Sequence, residues 1–421
     1  MKRRDGFCRL FLLYLVCSDV FNFNYIIIGI KLMRTFFLSL LAGLLVMICI
    51  PVHSHAQDDL NFQELMKKVD SSVIFFSSDN YTWCSSVIKG EDGKYHMFYS
   101  RWSHGKRILD DDSMNYIFNG FKGWCKYSEI AHAVSDKLNG PYKYVSTVLK
   151  GDGDPDHWDR FTMHNPQIRK FDKYYYLYYI SNSFDSSLQF KDESKMSKDW
   201  KHWLKYNCTQ KIGVIKAKSI ADLVNGKYEK PSAPLIVPDN INTFEVATNP
   251  TVTQGPDGKY YMMYKSRKPN VGNMTFWMAK SDKPDGPFTM VGEVFTSAEM
   301  ACEDPCMWYD KKRKRFYAAV KYYSNSKKLV PQFGALALIT SVDGLNWQAA
   351  AHPLISLREM KMKDGKKTEL AHLERPFVVT DEKGQPLALF AAASVQESSK
   401  GNADHPSFEY NTFNVCFLLK K

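Results

Sequence analysis

The sequence predicts an all-β fold, a five-bladed β-propeller with four antiparallel strands per blade, on three observations. One tip motif, polar residues leading into an apolar strand, recurs five times. Each tip is followed, after a turn, by a second strand rich in aromatic residues. Downstream of most such pairs, an apolar run ends in a Gly-Pro or Asp-Gly turn, as a third and fourth strand would. Five units of four strands describe blades around a central channel. A β-sandwich would use similar strands but does not predict the same tip five times.

In chain order, the first element is a leader. Met33-Arg34 is basic, Phe36 to Ile50 is apolar but short for a membrane span, and His53-Ser54-His55-Ala56 supplies a small-residue cleavage site. Residues 33–56 therefore read as a secretory signal peptide and 1–32 as an upstream extension, with an uncleaved anchor as the competing reading. Val46-Met47-Ile48 lacks the small residues expected before a lipidated Cys49, which argues against a lipoprotein. The mature chain is expected in the periplasm or outside the cell, with no stable membrane insertion once the signal is removed. Residues 57–71 are a lead-in, with a short amphipathic helix expected over Asp58 to Lys68. Residues 72–421 are the propeller, with Ser72–Phe76 closing the ring beside Phe413–Leu419.

The first blade opens at Trp83-Cys84-Ser85 and returns through Glu91-Asp92-Gly93-Lys94, a strong hairpin signal. The second opens at His164-Asn165-Pro166 and returns through Tyr174 to Tyr179. The third opens at Thr248-Asn249-Pro250, with Pro256-Asp257-Gly258-Lys259 as its turn. The fourth opens at Glu303-Asp304-Pro305 and the fifth at Glu374-Arg375-Pro376. Gly140-Pro141, Gly286-Pro287 and Asp343-Gly344 mark turns between third and fourth strands. The polar, aromatic insertion 183–210 reads as a loop over one face.

Composition narrows the function. Aromatic residues make up 14% of the chain, which suits strands and stacking surfaces. The formal net charge is +11, but acidic residues are interleaved with basic ones and no concentrated nucleic-acid footprint appears. Six cysteines lie beyond the leader, too few for a disulfide scaffold, with Cys84–Cys125 as the one pairing entertained. Cys302 and Cys306 lack a matching His/Cys pair for zinc. A nucleotide-binding glycine loop, an HExxH motif and a Gly-x-Ser-x-Gly elbow are all absent from the sequence.

Because the first strand of each blade lines the channel, the five tips converge on one polar pocket. The Asn-Pro, Glu-Asp-Pro and Glu-Arg-Pro tips, the Gly-Lys-Tyr-Tyr hairpin and the Gly-Pro-Tyr/Phe turns resemble glycoside hydrolase family 43 and its relatives over about residues 72–421. That resemblance implies a glycosidase acting on a carbohydrate, exo-acting and inverting, with no required cofactor and at most a calcium ion on the axis. It also implies an acid trio at the first three tips, which this sequence does not carry: those tips hold Cys84-Ser85, His164-Asn165 and Thr248-Asn249.

Two carboxylates, one protonated and one ionised, are the requirement for glycoside hydrolysis. The candidates are Asp304 as base and Glu374 as acid, with Glu303 and His372 as substitutes, Asp79 as a replacement first-blade acid, and His164 as an acid or hydroxyl ligand. Against these stand a salt-bridge network for Glu303, Glu374 and Arg375, and a strand cap for Asp304. Asp156, Asp159 and Glu245 are further loop acids. Trp83, Trp102, Trp124 and Trp158 are candidates for a sugar-stacking platform, core packing being the equal alternative. Asn165, Asn249, Arg101, Lys265 and Arg375 complete the substrate-binding set, the cations suited to a uronate or sulfate. Two other functions stay open: a glycoside phosphorylase, needing Arg101, Lys265 and Arg375 around one anion, and a non-catalytic carbohydrate-binding propeller.

Overall fold

The computed structural model describes residues 59–104, 115–190, 192–269, 274–398 and 405–420. The expected signal peptide, the upstream extension and Cys49 lie outside the described residues. Among the described residues, no helix is long and apolar enough to cross a membrane.

The chain forms a five-bladed β-propeller. The short strand β1 (Phe75–Phe76) comes first and is used last. Blade one is β2 (Asn80–Lys89), β3 (Tyr95–Ser103), β4 (Glu129–Ser135) and β5 (Lys143–Leu149). Blade two has only three strands, β6 (His164–Phe171), β7 (Tyr174–Ser181) and β8 (Lys211–Ala217). Its fourth place is taken by isolated bridges from Glu229 and Ile236, because the 226–243 segment runs irregularly past β8. Blade three is β9 (Phe244–Gln254), β10 (Tyr260–Arg267), β11 (Met274–Ser281) and β12 (Thr289–Glu293). Blade four is β13 (Cys302–Asp310), β14 (Arg315–Tyr322), β15 (Leu336–Ser341) and β16 (Gln348–Ser356). A small hairpin, β17 (Glu359–Lys361) with β18 (Lys367–Glu369), precedes blade five. That blade is β19 (His372–Thr380), β20 (Pro386–Ser394), β21 (Thr412–Leu418) and, as its outer strand, β1. Phe75 pairs with Asn414 and Phe76 with Phe413, so the first strand closes the ring where the sequence pattern placed it. Ser71–Val73 forms a 3₁₀ turn and does not join that strand.

The inner strands β2, β6, β9, β13 and β19 each contact the next around the axis. Alternation along the second strands then buries both faces of each blade. Along β7, Tyr175, Leu177 and Tyr179 join the core shared with blade one, while Tyr176, Tyr178 and Ile180 join the core shared with blade three. The lead-in helix is shorter than expected, a single turn over Phe62–Leu65, with Phe62 fully buried in the same core. The insertion 183–210 contains a ten-residue helix, Lys198–Asn207, capped by Ser197 through the Trp200 amide. Its Trp203 and Tyr206 bury against Phe118 and Cys125 of the blade-one insertion.

One side-chain bond stitches successive inner strands at a repeated position. Ser86 accepts the Ile168 amide (3.2 Å), Gln167 the Val252 amide (2.9 Å), Thr251 the Met307 amide (2.9 Å) and Cys306 the Val378 amide (3.2 Å). A Thr251→Val variant keeps the side-chain shape but leaves the Met307 amide buried without an acceptor. Its unfolding free energy in urea should fall by about 1–3 kcal/mol.

Candidate functional site

The blade tips are shaped by one backbone device. Cys84, Asn165, Asn249, Asp304 and Arg375 occupy equivalent positions and all adopt left-handed φ values, between 53° and 58°. Each coincides with a break in strand pairing, between Trp83 and Ser86, His164 and Gln167, Thr248 and Thr251, Glu303 and Cys306, and Glu374 and Phe377. Such bulges re-aim side chains that a regular strand would alternate. Asn and Asp tolerate this conformation better than other side chains, which accounts for three of the five.

The five left-handed residues form an inner ring. The Cys84 thiol donates to Asn165 Oδ1 (2.9 Å), the Asn165 amide donates to Asn249 Oδ1, and the Asn249 amide donates to Asp304 Oδ1 (2.8 Å). Arg375 pairs with Asp304 Oδ1 at 2.7 Å, and its backbone N–H donates to Oδ2. These residues, with Ser85 after Cys84 and the prolines that follow the other four, line a small axial cavity. Cys84 is therefore not half of a disulfide; it and Cys125 are both free and buried, the Cys125 sulfur receiving the Asn182 amide.

The inner ring corrects the assignment of Asp304 as base. Its carboxylate is almost wholly buried, and both oxygens are engaged by Asn249 and Arg375. Burial pushes its pKa up and Arg375 only partly opposes this. Calcium does not fit here either. The cavity offers one carboxylate, already neutralised by a guanidinium, where a calcium ion requires six to eight oxygens. Among the described residues, no cluster of three or more His, Cys, Asp or Glu is arranged to hold a metal.

One residue earlier in each blade stand Trp83, His164, Thr248, Glu303 and Glu374, an outer set of tip residues. Glu303 Oε1 receives the Lys265 ammonium at 2.9 Å, and its Oε2 lies 3.6 Å from the Lys321 ammonium. Lys321 also bonds Glu374 directly. His372 Nδ1 lies 3.3 Å from Glu374, and its Nε2 lies 3.2 Å from Glu397. The result is one chain of charges, Lys265–Glu303–Lys321–Glu374–His372–Glu397, running across blades three to five.

Electrostatics assign the protonation states. Burial would raise Glu303, but Lys265 and Lys321 override it and hold the carboxyl below its ordinary range. Burial would likewise raise Glu374, but Lys321 and His372 pull it well below that range. Glu374 is thus an anion at neutral pH, which corrects its assignment as the acid. His372, partly exposed, is held above the ordinary imidazole value by the Glu374 hydrogen bond, so it keeps a proton to higher pH than a free imidazole.

The other candidates disperse. His164 is buried, its Nδ1 bonded to Ser128 Oγ (2.8 Å) and its ring stacked under Trp124. Burial holds it well below the ordinary imidazole pKa, so it is neutral and packed against Ser128 and Trp124. Asp79 sits in an exposed turn, its carboxylate bonded to Ser78, away from the charge chain. Glu245 pairs with Arg267 at 3.3 Å on the rim of blade three, and Asp159 is buried against Lys230 and Tyr179. Trp83 and Trp102 are buried in a cluster with Cys84 and Ala392, which removes both as open stacking platforms.

Arg101 is turned away from the tips, binding Glu129 (2.7 Å), Tyr144 (2.9 Å) and Thr147 (3.0 Å) within blade one. The register explains it. Lys265 faces Thr248, Lys321 faces Glu303, and the residue facing Trp83 is Ser100. Arg101 stands one residue beyond that position and points to the opposite sheet face. Arg101, Lys265 and Arg375 therefore do not converge on one anion. Lys321, which sequence reasoning missed, had a signal: Lys265 in Tyr264-Lys265-Ser266 and Lys321 in Val320-Lys321-Tyr322 hold the same place in successive hairpins.

The fold is similar to that of several solved structures. A family 117 glycoside hydrolase of the marine bacterium Zobellia galactanivorans superposes with a TM-score of 0.52 at 15% identity, over 84% of this chain and 89% of that one. An α-L-arabinofuranosidase from Lactobacillus brevis gives 0.50 at 13% identity, over 83% and 94%. A protein of unknown function from Dyadobacter fermentans gives 0.50 at 11%, over 84% and 99%. At these identities the likeness establishes the five-bladed propeller. No protein-family model and no curated protein matches the chain.

The Glu374–His372 contact makes a measurable prediction. The His372 imidazole, followed by NMR, should titrate above 6.5, and in Glu374→Gln its pKa should drop toward or below that value. Because the folded pKa is raised, the stability this pair contributes is fully present below about pH 6.5 and is lost as pH rises through the folded value.

Proposed function

We propose that the chain is a glycoside hydrolase whose site is the charge chain of blades three to five. The single observation that carries this is a histidine and two glutamates, linked through lysine, held in one bonded series at the tips of the propeller. In this reading His372 is the general acid that protonates the leaving glycosidic oxygen. Glu303, at the other end of the Glu303–Lys321–Glu374–His372 series, is the carboxylate that accepts a proton from the attacking water. Glu374 is a positioning residue: its charge keeps the imidazole protonated and fixes the ring. Lys265 and Lys321 hold Glu303 ionised so that it stays a base at neutral pH.

Acid and base at opposite ends of the series suit a single displacement by water, hence inversion. Release of single sugars from a chain end is part of the same reading and rests on the family resemblance. The leader read from residues 33–56 makes the enzyme an exported one. The solved propellers described as glycoside hydrolases and as an arabinofuranosidase support a carbohydrate substrate. A second reading, a carbohydrate-binding propeller without turnover, is favoured by one feature: the glutamates are all ion-paired to a lysine or histidine and none is free.

Residues 57–421, incubated with aryl-glycosides and with plant, algal and host glycans, should release reducing sugar. His372→Ala and Glu303→Gln should each lower kcat by roughly 10²–10⁴-fold, while Arg101→Ala, on the far sheet face, leaves it near wild type. Binding without release of sugar from any glycan would establish the second reading instead. The pH profile of kcat should fall on the alkaline side, as pH rises through the raised His372 pKa. On the acid side it should hold until Glu303 protonates, below the ordinary carboxylate value of about 4.

A further inference from the structure

We propose that Tyr323 and Phe333, on the loop between the second and third strands of blade four, form the platform on which a sugar ring of the substrate stacks beside Glu303 and Lys321. This rests on the carbohydrate reading above and names where the ring lies. Tyr323 is 45% exposed and Phe333 38%, unusual for large aromatic side chains. Their ring centroids are 5.0 Å apart at 47°, so the two make one continuous apolar surface.

Position ties this surface to the charge chain. Tyr323 directly follows Tyr322, the register partner of Cys302, and its amide donates to the carbonyl of Ala301, two residues before Glu303. The Lys321 ammonium, which bridges Glu303 and Glu374, stands 5.3 Å over the Tyr323 ring. The Glu303 charge is the leading influence on the Tyr323 phenol. An apolar face bordered by fixed cations and carboxylates matches a sugar, which offers C–H groups on its face and hydroxyls on its rim.

The loop that carries the pair is anchored. Tyr322 OH bonds the Glu299 carbonyl (2.7 Å) and receives the Lys328 amide (3.0 Å), while Leu329 and Val330 are buried beneath. Gln332 accepts the Arg358 amide at 2.8 Å, and the Gly334 amide returns to the Tyr322 carbonyl. Exposed aromatics on a tethered loop lose little freedom when a ligand is bound, as a preorganised subsite requires.

The test uses the full chain and its Tyr323→Ala, Phe333→Ala and Tyr323→Phe variants. Calorimetric titration with xylo-, arabino-, galacto- and gluco-oligosaccharides of two to six units measures affinity, and KM and kcat are measured on any of these that is hydrolysed. Both alanine variants should bind about tenfold more weakly, or raise KM about tenfold, with kcat little changed, whereas Tyr323→Phe stays near wild type. Wild-type affinity or KM in Tyr323→Ala overturns the platform, as does failure of the wild type to bind any of these sugars. The two proposals fail separately: ring-dependent binding without hydrolysis keeps the platform and removes the hydrolase, and hydrolysis with unchanged KM in Tyr323→Ala does the reverse.

Discussion

Everything at the tips depends on a single backbone conformation taken up five times. A non-glycine residue in the left-handed region carries on the order of 1–3 kcal/mol of strain, and this propeller holds five of them around one axis. The ring of thiol, amide, carboxylate and guanidinium bonds that links them offsets part of that strain. It exists only because the same torsion turns all five side chains to the same place. Asn165, Asn249 and Asp304 suit the conformation; Cys84 and Arg375 do not, and the strain is concentrated at those two. The bulge also sets the outward aim of the preceding residue, so the inner ring is scaffold and the outer set is where chemistry can vary.

The charge chain is the counterpart of that scaffold. Carboxylates this buried would ordinarily favour their neutral forms. Two lysines, drawn from equivalent hairpin positions of blades three and four, reverse the preference for Glu303 and Glu374. A buried pair of this kind adds little net stability, because desolvation consumes most of the attraction. Its effect is to sort protons: both glutamates stay charged, and the affinity for a proton is shifted toward the partly exposed His372.

The sequence carried the fold legibly because propeller blades repeat, and repetition shows through weak local signals. Tips, Asp-Gly hairpins and the closing strand near Phe76 all correspond to observed elements. In blade two the fourth place is held by bridges from Glu229 and Ile236, a variation that no repeat in the sequence marks. The site was legible by location and not by role. Glu303, Glu374, Lys265 and His372 are all legible as candidates and do meet through Lys321, whereas Asp304 stands on the inner ring, bonded to Asn249 and Arg375. A bulge separates two adjacent residues onto different rings, and no sequence pattern states which residue takes the left-handed turn. Arg101 is removed by a one-residue register difference, and of the four candidate tryptophans Trp83 and Trp102 take the core-packing alternative, buried in the tip cluster. The exposed aromatics came from a loop with no repeat to mark it.

The interblade stitch has one missing member. Ser86, Gln167, Thr251 and Cys306 each reach the following blade, but the fifth equivalent is Phe377, a side chain with no acceptor to offer. The joint between blades five and one is held by other means: a two-residue strand, Asn414 accepting the Ser85 amide, and Thr412 exchanging bonds with Thr82. A ring sewn at four joints and fastened differently at the fifth has a built-in clasp. Thermal opening, proteolytic nicking and the last step of assembly would all be focused on that joint, where the two ends of the propeller meet.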